Sequence, residues 1–204
     1  MALAVAGSAL LASGCGGARQ DANEPAKSFE MKIVRASFPA KQAVARPTTL
    51  ELQVRNTGAS TVPVVAVTLD SLSYTEHYPE LAADKRPVWA IERGPGPVAK
   101  PPVESQEVSQ LGGAQTAYVN TWALGPLAPG ATQTFRWELV PVKPGAHTVN
   151  FAIAAGLSGK AKVHMASGGP LGGRFAVNVA PAPATTHVDP ATGHVVAGAA
   201  PAIP

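Results

Sequence analysis

The sequence predicts an all-β fold: one antiparallel β-sandwich of about seven strands, with a long mid-chain loop insertion and flexible ends. Three observations predict it. Short segments alternate apolar and polar residues with a period of two, Pro-Gly and Asn-x-Gly turns punctuate them, and no segment carries a strong helical repeat. The alternation is clearest over residues 124–156. There Phe135, Trp137 and Leu139 alternate with Thr134, Arg136 and Glu138, and Val149, Phe151 and Ile153 alternate with Thr148, Asn150 and Ala152. Each run follows a Pro-Gly turn, at Pro129-Gly130 and Pro144-Gly145, so the two read as a hairpin with one buried face per strand. A hairpin cannot bury those faces alone, and the rest of the chain must supply a second sheet.

From its start, the chain opens with an uncharged, mostly apolar run over residues 2–12, followed by Ser13, Gly14 and the one cysteine, Cys15. This stretch resembles the signal peptide of a bacterial lipoprotein, with Ala12-Ser13-Gly14-Cys15 in the place of the lipobox. Ala12 stands where such signals most often have Leu, and no Lys or Arg precedes the run. The resemblance implies removal of residues 1–14, acyl chains such as palmitate carried through Cys15, and an extracytoplasmic protein anchored to the bacterial membrane by lipid. A membrane span would need roughly 20 strongly apolar residues, and this run is short and rich in Gly, Ser and Ala. With Cys15 acylated, no thiol remains for a disulfide or a nucleophile. The rest of 15–27 has no periodicity and reads as a flexible tether.

The body spans residues 28–180. Phe29, Met31 and Ile33 share one phase; then the apolar phase slips by one to Val34, Ala36 and Phe38, which signals a bulge or a strand crossing between sheets. Residues 39–47 read as a connection. Leu50, Leu52 and Val54 alternate with Glu51, Gln53 and Arg55 and end at the turn Asn56-Thr57-Gly58. Val65, Val67 and Leu69 form the next strand, with Pro63 ahead of it, where a missing N–H costs least.

Regularity fails over 70–116, apart from an extended piece at 86–91, and a connection this long is uncommon in a small domain unless it has a function or lacks order. A strand resumes over 118–124 with Trp122 and Leu124 inward. After the hairpin, Lys160, Lys162 and His164 share one face opposite Ala161, Val163 and Met165, and a last strand carries Phe175, Val177 and Val179. Residues 181–204 are an Ala/Pro-rich tail with a local turn at 188–195.

Leu52-Gln53-Val54-Arg55-Asn56-Thr57-Gly58, Leu127-Ala128-Pro129-Gly130, Phe135-Arg136-Trp137 and Pro144-Gly145-Ala146-His147-Thr148-Val149 occur in an order that resembles bacterial immunoglobulin-like domains of the cell-adhesion-related (CARDB-like) type. The resemblance covers roughly residues 29–180. It implies an immunoglobulin-like sandwich with a non-catalytic role in adhesion, binding or spacing. The 70–116 insertion departs from the usual compactness of such domains and so points away from a spacer alone.

In 204 residues the hydrophobic share of 46% is enough for a core, although 20 Gly and 20 Pro dilute it, mainly at the ends. A net charge of +3 with no reading module argues against nucleic acid as a partner. No catalytic set emerges, and no cofactor is expected. A phosphate loop at Gly159-Lys160 fails because Ala154 stands where the first Gly belongs and Ala161 where Ser or Thr belongs. His164 and Met165 are adjacent on a strand and point to opposite faces, so they cannot easily share an ion.

The candidate partner-binding residues are Tyr74, Tyr78 and Trp89, with Arg86 and Arg93 flanking them. Aromatic residues on loops at a sandwich end can anchor a protein or stack on sugar rings; equally, they can fold over a sheet edge as a satellite core. The leading expectation is a membrane-anchored, non-catalytic binding or spacer module, its partner an envelope protein or polysaccharide. One alternative is a periplasmic metal carrier or enzyme accessory using His77 with Glu76 and Glu80; another is a carbohydrate-binding module using Trp89 and Tyr78.

Overall fold

Leu50, Leu52 and Val54 are fully buried, while Glu51, Gln53 and Arg55 between them face outward, so the period of two becomes a strand covered on one side only. The same rule builds the molecule from end to end. The computed structural model describes residues 21, 23–70, 72, 87–96, 114–116, 118–182 and 186–198. Within them the strands are β1 (Ser28–Ser37), β2 (Lys41–Ala43), β3 (Thr48–Asn56), β4 (Val65–Leu69), β5 (Trp89–Arg93), β6 (Thr121–Leu124), β7 (Thr132–Pro141), β8 (Gly145–Ala154), β9 (Lys162–His164), β10 (Leu171–Ala180), β11 (Thr186–Val188) and β12 (Val195–Ala197). Two five-stranded sheets, ordered β5-β7-β3-β1-β9 and β2-β10-β8-β4-β6, pack as a sandwich, and β11 and β12 form a separate ribbon. The all-β sandwich expected from the sequence is the fold observed. Its pairings are antiparallel except at two edges, where β9 runs parallel to β1 and β2 parallel to β10.

The core lies between the sheets. Trp137 on β7 meets Trp122 on β6 edge-on at 5.4 Å, joining the two layers through their largest side chains. Near the other end of β7, Phe38 touches both Trp89 at 5.3 Å and Phe175 at 5.8 Å, again one ring from each sheet.

Several elements differ from the sequence reading. The two clearest strands, β7 and β8, are not a hairpin; they belong to opposite sheets, each with its apolar face turned to the core. Alternation specifies which face of a strand is apolar but not whether the next strand pairs with it or lies opposite. Pro141 and Pro144 flank the crossing, and neither has an N–H to give to a ladder between those strands. The phase slip in β1 is a bulge: pairing with β3 shifts between Ile33 and Arg35, and Val34, expected in the apolar phase, is left 51% exposed. Just beyond it the chain also changes sheets, since β2, within the stretch read as a connection, pairs with β10.

The 70–116 insertion is not wholly irregular, because β5 adds an edge strand beside β7. The tail likewise contains the β11–β12 ribbon. Its turn is held by Asp189, which accepts from the Ala191 N–H at 2.9 Å and the Thr192 hydroxyl at 2.9 Å.

Asn56, at the end of β3, is fully buried and ties two loops together, the one after β3 and the one before β7. Its Nδ2 donates to the Ser60 and Leu127 carbonyls, each at 2.9 Å, and its Oδ1 accepts from the Gly58 N–H at 3.0 Å. The Asn-x-Gly signal read as a turn is thus also a buried polar hub, which must be fully satisfied to be tolerated. Asn56→Ala should cost about 2–4 kcal/mol by leaving those groups unpaired. Asn56→Asp, which cannot donate to two carbonyls, should cost more than Asn56→Ala at neutral pH. Urea denaturation checks both, and equal stability of the aspartate variant and the wild type would count against the hub.

Candidate functional site

Trp89 is the sequence-predicted site residue that the structure places most firmly, and it is a core residue rather than an exposed platform. It is 1% exposed, its Nε1 donates to the Gln42 Oε1 at 2.7 Å, and the His147 ring lies edge-on to it at 5.8 Å. The reason is pairing: opposite Pro141 on β7, Trp89 turns its ring inward with the rest of that inner face. A sugar-stacking role for Trp89 is corrected accordingly. Arg93 is exposed on the same strand, and its Nη1 stands 3.9 Å from Glu138 Oε1, a loose surface pair. Tyr74, Tyr78, Arg86, the alternative metal set Glu76, His77 and Glu80, and Cys15 lie outside the described residues. Among the described residues, no group of three or more His, Cys, Asp or Glu is arranged to hold a metal ion.

The most constructed polar site in the described chain is one that sequence reading missed. The Glu24 carboxylate accepts three backbone N–H groups from the loop after β8: Leu157 at 2.7 Å and Ser158 at 2.6 Å on Oε2, and Ala161 at 2.7 Å on Oε1. Successive N–H groups in such a loop make a concave anion site, here filled by the chain's own side chain. Gly156 permits the close approach, since a Cβ there would overlap the carboxylate. Burial by itself would raise the Glu24 pKa; the hydrogen bonds from Ser158, Ala161 and Leu157 together outweigh it and hold the pKa below the ordinary value of 4.5.

Three residues earlier, Asp21 is buried and its Oδ2 accepts from the Tyr118 hydroxyl at 3.1 Å. The stretch read as a flexible tether is therefore docked on the body wherever it is described. Beside the dock, Pro63, Val64, Leu124, Pro126 and Leu157 line a shallow groove of about 230 Å³, and a smaller one of about 130 Å³ adjoins it against Asn23 and Glu24.

The outer faces of the two sheets differ in charge. On the β5-β7-β3-β1-β9 sheet, Glu51 sits between two arginines, 3.3 Å from Arg35 Nε and 4.0 Å from Arg136 Nη1, and Lys32, Arg55 and Arg93 are exposed on the same face. On the other sheet, the outward residues of β8 and β10 are Thr148, Asn150, Ala152, Ala176 and Asn178, with Arg174 as the charge among them.

No family model matches the sequence, and no curated protein matches it. Solved structures of similar fold include the CARDB domain of a Pyrococcus furiosus protein, at 14% identity and a TM-score of 0.42, covering 76% of this chain and 96% of that one. They also include the C-terminal part of alpha-2-macroglobulin from Escherichia coli, at 14% identity and a TM-score of 0.42, covering 81% of this chain but 21% of that one.

Glu24→Gln should loosen the dock at pH 7, raising hydrogen exchange of the Leu157, Ser158 and Ala161 amides by about tenfold, or about 1.4 kcal/mol. The folded-state pKa is lowered, so the stabilisation is complete above pH 4.5 and fades as pH falls through the lower folded value. The gap between wild type and variant should close in acid along that course. Equal protection in both proteins at pH 7 would show that the carboxylate charge does not hold the dock.

Proposed function

We propose that this chain is a lipid-anchored, extracytoplasmic β-sandwich module that binds or positions a partner at the cell envelope and performs no chemistry of its own. The observation that supports it best is the docked linker. An acyl anchor on Cys15 holds a body at the membrane in a defined way only if the connection between them is short. Asp21 and Glu24 clamp that connection to the sandwich, leaving six residue steps between Cys15 and Asp21, which reach at most roughly 21 Å when extended. Bound this way, the sandwich is held close to the lipid surface instead of ranging freely.

The lipobox-like Ala12-Ser13-Gly14-Cys15 supplies the anchor in this reading. Two acyl chains or more make such anchoring stable, because each buried CH₂ contributes about 0.8 kcal/mol. The partner is bound through the exposed surface rather than through the buried Trp89 ring.

Mass spectrometry of the protein from its native membranes should find a mature N-terminus at Cys15 carrying diacylglycerol. Cys15→Ser should abolish both the lipid mass and processing after Gly14. A wild-type protein that retains residues 1–14 and partitions into the soluble fraction would overturn the anchor.

A further inference from the structure

Lys32 and Arg55 stand directly opposite each other across the β1–β3 ladder, both exposed and both on the outer face. Like charges in that position destabilise a sheet, and among the described residues neither cation has an acidic partner within ion-pair distance. The pair heads a line of cations running diagonally across four strands, through Arg35 on β1 and Arg136 on β7 to Arg93 on β5. With strands about 4.8 Å apart and a rise of about 3.3 Å per residue, the line covers roughly 14 Å across the strands and roughly 20 Å along them, or about 25 Å end to end.

The carboxylates on this face do not neutralise its head. Glu51 is shared between Arg35 and Arg136, Glu138 lies beside Arg93, and Glu30 accepts from the Thr57 hydroxyl at 2.8 Å. Lys162, on the edge strand β9, adds a sixth cation.

We propose that this line is a binding track for a linear polyanion of the cell envelope, a chain of repeating phosphate or carboxylate groups, with Lys32 and Arg55 at its head. A local rule broken without compensation among the described residues is relieved when an anion arrives from outside. A linear partner fits better than a lipid surface. The track is narrow, and a plane of anionic headgroups would press Glu30, Glu51 and Glu138 against like charge. Asp21, the described residue nearest Cys15 in the chain, is bound by Tyr118, ahead of β6 at an edge of the other sheet and not on this face. The proposal rests on the envelope reading for the partner's source, but its chemistry is independent of acylation.

The test uses the full-length chain carrying Cys15→Ser, so a failure of the anchor leaves the result intact. Long-chain inorganic polyphosphate is titrated against this protein, against Lys32→Gln/Arg55→Gln, and against Lys41→Gln/Arg174→Gln, which removes the same charge from the opposite sheet. The first pair of changes should weaken binding by about tenfold or more and flatten its salt dependence, and the second by less than about threefold. Thermal unfolding should show Lys32→Gln/Arg55→Gln at least as stable as the parent, since a repulsive pair has gone; this separates lost binding from lost folding. Equal weakening by both pairs would reduce the effect to net charge and overturn the track. Tighter binding to phosphatidylglycerol vesicles than to polyphosphate, lost with Lys32 and Arg55, would overturn it in favour of a membrane-facing surface.

Discussion

Everything in this molecule depends on two sheets hiding one face each from water. Each large apolar side chain moved from solvent into that interior contributes about 1.5–3 kcal/mol, and the contribution is realised only when an opposing layer exists. The contact between Trp122 and Trp137 shows the constraint at its most direct: one ring comes from each sheet, and each is closed over by the other. The crossing from β7 to β8 follows from the same need, because strands in opposing sheets bury both apolar faces whereas strands that merely pair leave both on one side. Even Trp89, which would be a tempting ligand platform on a loop, is drawn inward once β5 joins the sheet.

The edges of the sandwich are handled by shortness and by cover. β2 and β9 have three residues each and β6 four, which offers little unpaired backbone for another chain to add to. The docked linker adds a covered corner. It runs from Tyr118, ahead of β6, to the loop between β8 and β9, so the anion site made by that loop is occupied by Glu24 from within the chain. A clamp built from a charge and backbone donors needs little apolar area, which suits a short segment.

Function, in this picture, is divided between surfaces. In the proposed function the linker would set where the sandwich is held, and the charged outer face of the β5-β7-β3-β1-β9 sheet would set what it attracts. The opposite outer face, of Thr, Asn and Ala on β8 and β10, offers little charge to compete. The asymmetry is possible because outward positions of a strand are free of packing demands.

The all-β class, the apolar phase of nearly every strand, the bulge in β1 and the turn at Asn56 were legible in the sequence, since each follows from local periodicity or local turn chemistry. Of the candidate site, little was legible. Lys32 and Arg55 each read as an ordinary outward residue, and their opposition appears only when β1 and β3 pair in the register that the bulge permits. Glu24 gave no local sign at all, as its partners are more than 130 residues away. The sequence by itself determined which side of each strand must be dry, because a period of two is written in neighbouring residues. Only the tertiary structure decided which strand lies beside which, that β7 and β8 sit in opposite sheets, that Trp89 is interior and that Glu24 is clamped, because those outcomes depend on contacts between residues far apart in the chain.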